Sequence, residues 1–459
     1  MYQIDFKKPC KVYFIGIGGI SMSGLAELLL DKGFEVTGSD RQKSDLTEKL
    51  KEKGAKIFYS QVASNIEHTD IDLVVYTAAI HEDHPELSKV REKKIPALTR
   101  AELLGEVMQN FDHSLAIAGT HGKTTTTSMV THIYLAAKAD PTISVGGMLD
   151  SIGGNFRLGK DGTFITEACE YTNSFLSFAP TVEAILNIEE DHMDFFKDLD
   201  DIRHSFRLFM ERLQKKEDTV VINGEIKDLD ELLKGLPNKV VTFGDGEFDY
   251  TAKNISYDAL ACGIFTLCTP KGEIQVELKV PGKHNILNAL AAAAMCMEEG
   301  LSLEDVKTGL ESFVGTHRRF EKKGTLKGIT IIDDYAHHPQ EIEATLTAAM
   351  KCKHNKVVCV FQSHTYTRTK AFLDDFAKAL SIADEVVLAP IYAARETDTL
   401  GISSEDIATR IEALGTKATC FDTFDEIENY LLSHCSDGDL LITMGAGDIV
   451  KVGEELLGL

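Results

Sequence analysis

The chain carries 72 acidic and 48 basic residues, and the net charge of −24 argues against non-specific binding to nucleic acid or acidic membranes, because their phosphates would be repelled. Its 459 residues favour about three domains, and 43% apolar residues are enough to fill their cores. No run approaches about 18 apolar residues and the N-terminus lacks the apolar block of a signal peptide, so we expect a cytoplasmic protein that neither enters a membrane nor is secreted.

The N-terminal segment reads as a nucleotide-binding α/β unit. A strand over 11–15 leads into a glycine-rich loop over 16–24, and a helix over 25–32 follows. A second strand ends just before Asp40, near the place where an acid would bind a ribose. Ser21 replaces the third glycine of the dinucleotide fingerprint, so the pattern is compatible with NAD or with a UDP-sugar. Asp40 is also compatible with a plain strand-end acid.

The second segment begins with the most informative motif of the chain. An apolar strand over 115–118 runs into Gly-Thr-His-Gly-Lys-Thr-Thr-Thr-Thr at 119–127, which combines a phosphate-binding loop with the start of a helix. Lys123 is placed to neutralise the β- and γ-phosphates of a nucleoside triphosphate, and the Thr124 hydroxyl is placed to bind Mg²⁺. The predicted ATP contacts in this loop are Gly119, Thr120, His121, Gly122, Lys123, Thr124 and Thr125.

Polar residues follow the later strands of this segment, and ligands of parallel sheets gather at such strand ends. The predicted strands are 163–166, 184–188, 219–222 and 239–243. Glu167 and Glu170 follow the first of them, and an acidic run ending in His192 follows the second. Asn285 opens an alanine-rich helix over 289–297, where its side chain either contacts an adenine or caps the helix.

The last segment repeats the strand–helix pattern. Its predicted strands are 329–332, 356–361, 385–389 and 440–444. Its polar loops hold Asp-Asp-Tyr-Ala-His-His-Pro at 333–339 and Ser-His-Thr-Tyr-Thr-Arg at 363–368. We do not predict a zinc site at His337 and His338, because the sequence offers no third ligand at a sensible spacing.

Together these motifs resemble those of the Mur ligase family of ATP-dependent amide-bond synthetases over nearly the whole chain. The motifs that carry the resemblance are the glycine loop, the loop at 119–127, Glu-Ala-Cys-Glu at 167–170, His-Asn-Ile-Leu-Asn at 284–288, His-Arg-Arg-Phe-Glu at 317–321 and the two C-terminal loops. The resemblance implies three α/β domains. They are a Rossmann-like UDP-sugar-binding domain at 1–106, a central P-loop ATPase-like domain with a mostly parallel sheet that binds ATP at 107–314, and a Rossmann-like amino-acid-binding domain at 315–459.

The resemblance also implies a reaction. ATP would phosphorylate the lactyl carboxylate of UDP-N-acetylmuramate, and L-alanine would attack the acyl phosphate to give an amide, ADP and phosphate. Mg²⁺ and Lys123 would reduce the repulsion between the phosphoryl group and the carboxylate, which are both negative, and the resemblance implies two Mg²⁺ ions. Three other functions stay open: a ligase that adds a whole peptide to the same sugar nucleotide, an NAD-dependent oxidoreductase, and a non-catalytic protein switched by ATP. We expect a monomer or a homodimer.

The site residues that the resemblance implies fall into four groups. The catalytic residues are Lys123, Glu167, His192 and Arg319, and the Mg²⁺ ligands are Thr124, Glu167 and His192. Outside the loop, the ATP contacts are Asn285, Arg318, Asp333 and Asp334. The UDP-sugar contacts are Gly16, Gly18, Gly19, Ser21, Asp40, Asn155 and Arg157. The L-alanine contacts are Tyr335, His337, His364 and Arg368.

Simpler roles stay open for several of these residues. Glu167 is also compatible with a solvated acid at a strand end, and His192 with a packed or capping histidine. Arg318 and Arg319 are also compatible with a basic surface pair. The sequence does not indicate which of these two arginines faces the phosphates.

The sequence departs from the family pattern at two places. Thr365 stands where the C-terminal motif more often has an arginine, so Arg368 is left to carry the positive charge alone. The stretch 203–207 holds no lysine, so we predict no carbamylated lysine here.

Overall fold

The structure is a computed structural model that describes residues 2–77, 80–193, 195–258, 260–394 and 396–459. The chain forms two compact units, the first containing the chain up to Tyr250 together with Ala291–Gly309, and the second containing Thr251–Leu290 and Leu310–Leu459. The predicted fold class is confirmed, since three α/β domains are built on mostly parallel sheets. In the described part of the chain, none of the helices combines the length and the apolar composition needed to cross a bilayer.

The N-terminal domain is a parallel five-stranded sheet with the strand order β3-β2-β1-β4-β5. Its strands are β1 (Lys11–Ile15), β2 (Glu35–Ser39), β3 (Lys56–Phe58), β4 (Leu73–Tyr76) and β5 (Ala97–Thr99). Its helices are α1 (Ile20–Asp31), α2 (Asp45–Glu52), α3 (Ala63–Glu67), α4 (Pro85–Lys93) and α5 (Arg100–Met108). The central strands are apolar and almost wholly buried, as expected of a parallel sheet covered on both faces. α1 begins at Ile20, whereas the sequence placed its start at residue 25, because the glycine loop turns directly into the helix.

Helix α5 links this domain to the next one. It begins with a capping box, in which the Thr99 hydroxyl accepts a hydrogen bond from Glu102 N and the Glu102 carboxylate accepts one from Thr99 N. The helix continues to Met108, so the predicted domain boundary after residue 106 falls inside it. A break at 109–112 fits the secondary structure better, and the boundaries themselves stay a prediction.

In the first unit, the central domain has seven strands in the order β12-β11-β10-β6-β9-β7-β8. Neighbours pair in parallel where their register is known, except that β7 and β8 are antiparallel. The strands are β6 (His113–Ala118), β7 (Thr142–Leu149), β8 (Gly154–Arg157), β9 (Thr163–Ala168), β10 (Val182–Ile185), β11 (Thr219–Asn223) and β12 (Lys239–Gly244). The helices are α6 (Lys123–Ala136), α7 (Leu199–Met210) and α8 (Leu229–Leu233), with 3₁₀ segments at Asp150–Ile152 and Tyr171–Ser177. β10 ends at Ile185 rather than at residue 188, because Asn187 turns away to hold the loop after β6.

An antiparallel meander follows in the chain, formed by β13 (Tyr250–Tyr257), β14 (Cys262–Thr269) and β15 (Gly272–Pro281). Two helices come next, α9 (Lys283–Glu298) and α10 (Leu303–Ser312). α9 begins at Lys283, whereas the sequence placed its start at residue 289. Within this first turn, the Asn285 side chain donates a hydrogen bond to the backbone carbonyl of Pro281.

The C-terminal domain is a six-stranded sheet with the order β16-β17-β21-β18-β19-β20, in which only the β16–β17 pair is antiparallel among the paired strands described. The strands are β16 (Glu321–Leu326), β17 (Ile329–Asp334), β18 (Val357–Phe361), β19 (Glu385–Leu388), β20 (Lys417–Cys420) and β21 (Leu440–Met444). The helices are α11 (Pro339–Ala349), α12 (Tyr366–Ala371), α13 (Leu373–Leu380), α14 (Ser404–Ala413), α15 (Phe424–His434) and α16 (Val450–Leu457). Every residue of β18 and β21 is buried, so these strands form the core of the domain.

Candidate active site

The loop between β6 and α6 has the backbone of an anion-binding site. Gly119 and Gly122 adopt φ angles of 147° and 85°, which residues with a side chain rarely reach. A Cβ on Gly119 would also lie 2.9 Å from Leu186 Cβ, so the position has no room for a side chain. α6 starts at Lys123 without a side-chain cap, and the N–H groups of a first helical turn, here including Thr125, lack intrahelical acceptors. These N–H groups suit a phosphate.

Asn187 holds this loop in place from the neighbouring strand. Its Oδ1 accepts a hydrogen bond of 2.7 Å from His121 N, and its Nδ2 donates one of 3.1 Å to His121 O. Its backbone carbonyl accepts a third bond, of 3.2 Å, from Thr120 N. The N–H groups of Thr120 and His121 are therefore used inside the protein, and the N–H groups left to suit a phosphate are those of the first turn of α6, after Gly122.

The ammonium of Lys123 lies in the loop against a buried acid. It donates hydrogen bonds to the Glu170 carboxylate at 2.9 Å, to Thr120 O at 3.0 Å and to Gly119 O at 2.5 Å. The side chain of Glu170 is only 2% exposed. Burial alone lowers the pKa of Lys123, but the Glu170 carboxylate outweighs burial and raises the pKa above its ordinary value. Lys123 is therefore charged at neutral pH.

Thr124 and Glu167 form the second part of the nucleotide site. The Thr124 hydroxyl donates a hydrogen bond of 3.1 Å to Glu167 Oε2, and Gly146 N donates one of 2.5 Å to Glu167 Oε1. A Cβ on Gly146 would lie 2.7 Å from Glu167 Oε2, so a side chain at this position would displace the carboxylate. The arrangement brings together the hydroxyl and carboxylate oxygens that Mg²⁺ prefers.

His192 lies beside Glu170, the acid that binds Lys123, and beside Asp191. Its Nε2 is 3.7 Å from a carboxylate oxygen of Glu170 and 3.7 Å from one of Asp191. Its ring stacks on Tyr171 with 4.5 Å between the centroids, and its backbone has a positive φ of 53°. The sequence groups His192 with Glu167, whereas the carboxylate oxygens found within 4 Å of its imidazole belong to Glu170 and Asp191.

The glycine loop of the N-terminal domain is fixed by Asp40. Gly16 has a φ of 84°, and Gly18 N donates a hydrogen bond of 2.8 Å to Asp40 Oδ2. α1 starts after Gly19 without a side-chain cap, and Ser21 lies exposed in its first turn. The loop therefore presents helix N–H groups that suit a diphosphate, and Asp40 shapes the loop.

Asn155 and Arg157 lie on β8 of the central domain. The Arg157 guanidinium pairs with Asp140 at 2.5 Å, so its charge is already balanced by a carboxylate. Asn155 is half-buried. Their predicted contacts with the sugar nucleotide stay a prediction, and for Arg157 such a contact would compete with Asp140.

In the second unit, Arg318 is committed to the interior of the C-terminal domain. Its guanidinium donates to Asp333 Oδ2 at 2.9 Å, to Gly445 O at 2.7 Å and to Gly447 O at 3.0 Å. Asp333 is fully buried and also accepts a hydrogen bond of 2.7 Å from Thr443. Burial raises the pKa of Asp333, while Arg318 and Thr443 stabilise its charged form. This network joins the segment before β16 to the end of β17 and to the end of β21 with the loop that follows it.

Asp334 and Arg319 differ in how much of their hydrogen-bonding capacity is used within the protein. The Asp334 carboxylate accepts hydrogen bonds of 2.7 Å from Phe320 N and 2.7 Å from Ala336 N, and burial raises its pKa to about 6. The Arg319 side chain is 32% exposed and lies 3.6 Å from Glu341. Of the two neighbouring arginines, Arg319 is therefore the one with donors left for a ligand. The Asp333 carboxylate is bound by Arg318, and the Asp334 carboxylate is bound by backbone N–H groups. The contacts of both residues with ATP stay a prediction.

Three of the residues predicted to bind L-alanine lie in a row of neighbouring rings that ends at Tyr392. The centroids of Tyr335 and His337 are 5.4 Å apart, those of His337 and His364 are 6.0 Å apart, and those of His364 and Tyr392 are 5.6 Å apart. Burial lowers the pKa of His337 to about 4 and also lowers that of His364, and the positive charge of Arg368 acts on both in the same direction. The two imidazoles are therefore neutral at pH 7, next to a permanent cation.

Asn285 lies inside the first turn of α9, two residues after the helix start at Lys283. Its Nδ2 donates a hydrogen bond of 2.7 Å to Pro281 O, and its Oδ1 accepts one of 3.1 Å from Asn288. The side chain is buried. The interpretation of Asn285 as the helix cap is therefore wrong, because the helix begins before it, and the adenine contact stays a prediction.

Sequence reasoning missed three members of these groups. Glu170 was noticed at a strand end but given no role, Asn187 was placed inside a strand, and Tyr392 was not singled out. For the first two a signal existed. Both follow strands that flank β6 on either side, where side chains meet the loop that leaves β6.

Comparison with known proteins places this site in a family. Residues 11–112 match a model described as Mur ligase family, catalytic domain; residues 117–296 match Mur ligase middle domain; and residues 318–447 match Mur ligase, glutamate ligase domain. A protein of Agathobacter rectalis named UDP-N-acetylmuramate–L-alanine ligase is 57% identical over 459 residues, which is 100% of both chains. A protein of the same name from Clostridium botulinum is 52% identical over 449 residues, covering 98% of this chain and 97% of that protein.

The fold agrees with these sequences. The crystal structure of UDP-N-acetylmuramate-alanine ligase from Thermotoga maritima superposes with a TM-score of 0.79 and 32% identity, covering 98% of each chain. Matches to three family models in chain order, full-length relatives and a full-length structural neighbour lead to one conclusion. The chain belongs to the Mur ligase family.

Proposed function

We propose that this chain joins L-alanine to the lactyl carboxylate of UDP-N-acetylmuramate, with conversion of ATP to ADP and phosphate, in the synthesis of peptidoglycan precursors. The observation that carries the proposal is the 57% identity to the Agathobacter rectalis ligase over the full length of both chains. The loop after β6, with its uncapped helix and Lys123, supports ATP as the phosphoryl donor. We place the enzyme in the cytoplasm as a monomer or homodimer.

The chemistry starts with a problem of charge. A carboxylate oxygen must attack the γ-phosphorus of ATP, and both reactants are negative, so ADP leaves only if the site lowers their repulsion. Lys123 supplies one positive charge, which would move from Glu170 to the phosphates. Thr124 Oγ1 and Glu167 fit one Mg²⁺ through their oxygen atoms, and the bound ion would neutralise the phosphate oxygens. We keep His192 as a ligand of a second Mg²⁺, with the carboxylates of Glu170 and Asp191 each 3.7 Å from its Nε2.

The amide is formed in the second half of the reaction. The amine of L-alanine, after losing a proton, attacks the acyl carbon, and phosphate leaves. Arg368 would bind the amino acid carboxylate through a guanidinium fork. The neutral rings of His337 and His364 add no second cation that would compete for this carboxylate. Arg319 would stabilise the negative charge that develops on the phosphoryl group.

The remaining assignments complete the proposal. The UDP-sugar would bind at the N-terminal glycine loop, where α1 presents its uncapped first turn. Asn285 would contact the adenine, with Arg318, Asp333 and Asp334 shaping the loops around the nucleotide. This extends the sequence-based assignment by giving Arg318 a positioning role and leaving the phosphate contact to Arg319.

Phosphate release, measured while UDP-N-acetylmuramate is combined in turn with L-alanine, glycine, L-serine and a tripeptide, tests the proposal. We expect release that requires both the sugar nucleotide and L-alanine. Turnover indifferent to the amino acid would contradict it. Turnover only with the tripeptide would favour the peptide-adding ligase, and binding of a nicotinamide nucleotide without any phosphate release would favour the oxidoreductase.

A further inference from the structure

Arg100, the first residue of α5, is a partly buried cation for which the described residues provide no counter-charge. Its side chain makes no hydrogen bond and no ion pair with the rest of the described chain. The two acids of its own helix are engaged elsewhere. Glu102 accepts from Thr99 N and Oγ1, and Glu106 accepts from Ile4 N. Burial without a partner is unusual for an arginine, because the cost of removing its charge from water is not offset.

Cys169 is the titratable group that acts electrostatically on Arg100, so the two side chains lie near one another. Cys169 lies between Glu167 and Glu170 in the chain, and its electrostatic neighbours are these two acids and Lys123. Arg100 is thus next to the segment that forms the phosphoryl-transfer site.

The position of Arg100 is fixed by close packing. α5 lies against the 3₁₀ segment Tyr171–Ser177, and a Cβ on Gly105 would come within 1.9 Å of Ser177 O. Such contact leaves α5 no freedom to shift relative to the segment that follows Glu170. A charged group on a rigid element near reacting groups is well placed to orient a ligand.

Arg100 also lies at the edge of the N-terminal sheet that carries the glycine loop. All strands of this sheet are parallel, so β1 ends at the Gly16 loop and β5 ends at Arg100 on the same edge. Only β4 separates them, which corresponds to about 10 Å at the usual strand spacing. A sugar nucleotide that reaches from the Gly16 loop towards Lys123 would therefore pass Arg100.

We propose that Arg100 binds an anionic group of the sugar nucleotide, either its diphosphate or the carboxylate that becomes phosphorylated. This inference rests on the proposed function, because it takes the substrate from it. It adds a binding residue that comes from the N-terminal domain and contacts the substrate between the glycine loop and the ATP loop.

Calorimetric titration of the full chain tests the inference. UDP-N-acetylmuramate and UDP-N-acetylglucosamine are each titrated into the wild type, Arg100→Gln and Arg100→Lys. Loss of a charge-assisted hydrogen bond raises a Kd about 10- to 100-fold. We expect this rise for Arg100→Gln and a smaller one for Arg100→Lys. A rise with both nucleotides identifies the diphosphate as the group bound, and a rise confined to UDP-N-acetylmuramate identifies the carboxylate.

Three controls separate binding from structure. The first is Arg91→Gln, which removes an exposed cation from α4 and should leave both Kd values unchanged. ADP affinity should also be unchanged in Arg100→Gln, and its unfolding midpoint without ligand should not fall, because no native ion pair is lost. With an active wild type, two results for Arg100→Gln would overturn the inference. One is an unchanged affinity for both sugar nucleotides, and the other is a lower unfolding midpoint together with weaker ADP binding. A wild type that binds neither sugar nucleotide would overturn the proposed function as well.

Discussion

Replacement of Lys123 by methionine should lower kcat/KM by at least about 10²-fold, which corresponds to about 2.7 kcal/mol of transition-state stabilisation. The structure explains the size of this effect. The ammonium is 2.9 Å from Glu170, and two unit charges at that distance attract by about 6 kcal/mol in an effective dielectric of about 20. In the reaction the Lys123 ammonium would exchange Glu170 for a phosphoryl oxygen. The gain in transition-state stabilisation is therefore the difference between the two attractions, a few kcal/mol, and only this difference appears in the rate.

The assay is phosphate release at saturating UDP-N-acetylmuramate and L-alanine, with ATP varied. Lys197→Ala, which removes an 87% exposed lysine from the same unit, is the matched control and should be fully active. Lys123→Met leaves the buried Glu170 carboxylate without its main partner, so the fold is tested by circular dichroism and unfolding. If the single variant unfolds, Lys123→Met combined with Glu170→Gln removes both charges and should be folded and equally slow. A folded variant within threefold of the wild type would refute the reasoning.

Three further predictions concern the surroundings of this lysine and the C-terminal ring cluster. Asn187→Ala frees the His121 backbone and should raise the KM for ATP about tenfold, the equivalent of one or two lost hydrogen bonds, with little change in saturating kcat; a change in kcat alone would contradict it. His192→Ala should raise the Mg²⁺ concentration needed for half-maximal activity, and an unchanged Mg²⁺ titration would disprove its role. The folded pKa of His337, about 4, lies below its unfolded value of about 6.5. Its contribution to stability is therefore present above pH 6.5 and is lost as the pH falls towards 4, so His337→Gln should flatten the fall of the unfolding midpoint between pH 7 and 5. Asp334, with a pKa of about 6, acts in the opposite sense below pH 6, and it is present in both proteins.

The parts of the site that the sequence predicts are those coded by neighbouring residues. The strand before Gly119, the glycines and Lys123 form one continuous segment, and the backbone they require is local. The α/β architecture follows from the repeated strand–helix alternation, whereas the order of the strands in each sheet is given only by the structure. Partners that arrive from another strand have no such local code. Glu170 and Asn187 lie 47 and 66 residues from the groups they bind, so only the folded sheet brings them together.

The helix that begins at Lys283 shows a second limit. Neither Lys283 nor His284 is a favoured helix-capping residue, whereas the alanines from residue 289 onward have the strongest helix propensity, so pattern reading places the start too late. In the structure the helix begins at Lys283, and Asn285 in its first turn bonds to Pro281 O and to Asn288. These bonds bury an amide that the sequence assigns to a ligand.

Under the proposed function, paired cations would let a protein with a net charge of −24 receive anionic substrates. Lys123 pairs with Glu170, and Arg157 pairs with Asp140. A carboxylate partner lowers the cost of holding each cation out of water, and a ligand gains only the difference between its own charge and that of the partner. A singly charged anion gains almost nothing by this exchange, whereas a triphosphate with bound metal gains more, so the pairing favours the correct ligand. Arg100 has no such partner among the residues that the structure describes, so a singly charged carboxylate or phosphate bound there would receive its full attraction.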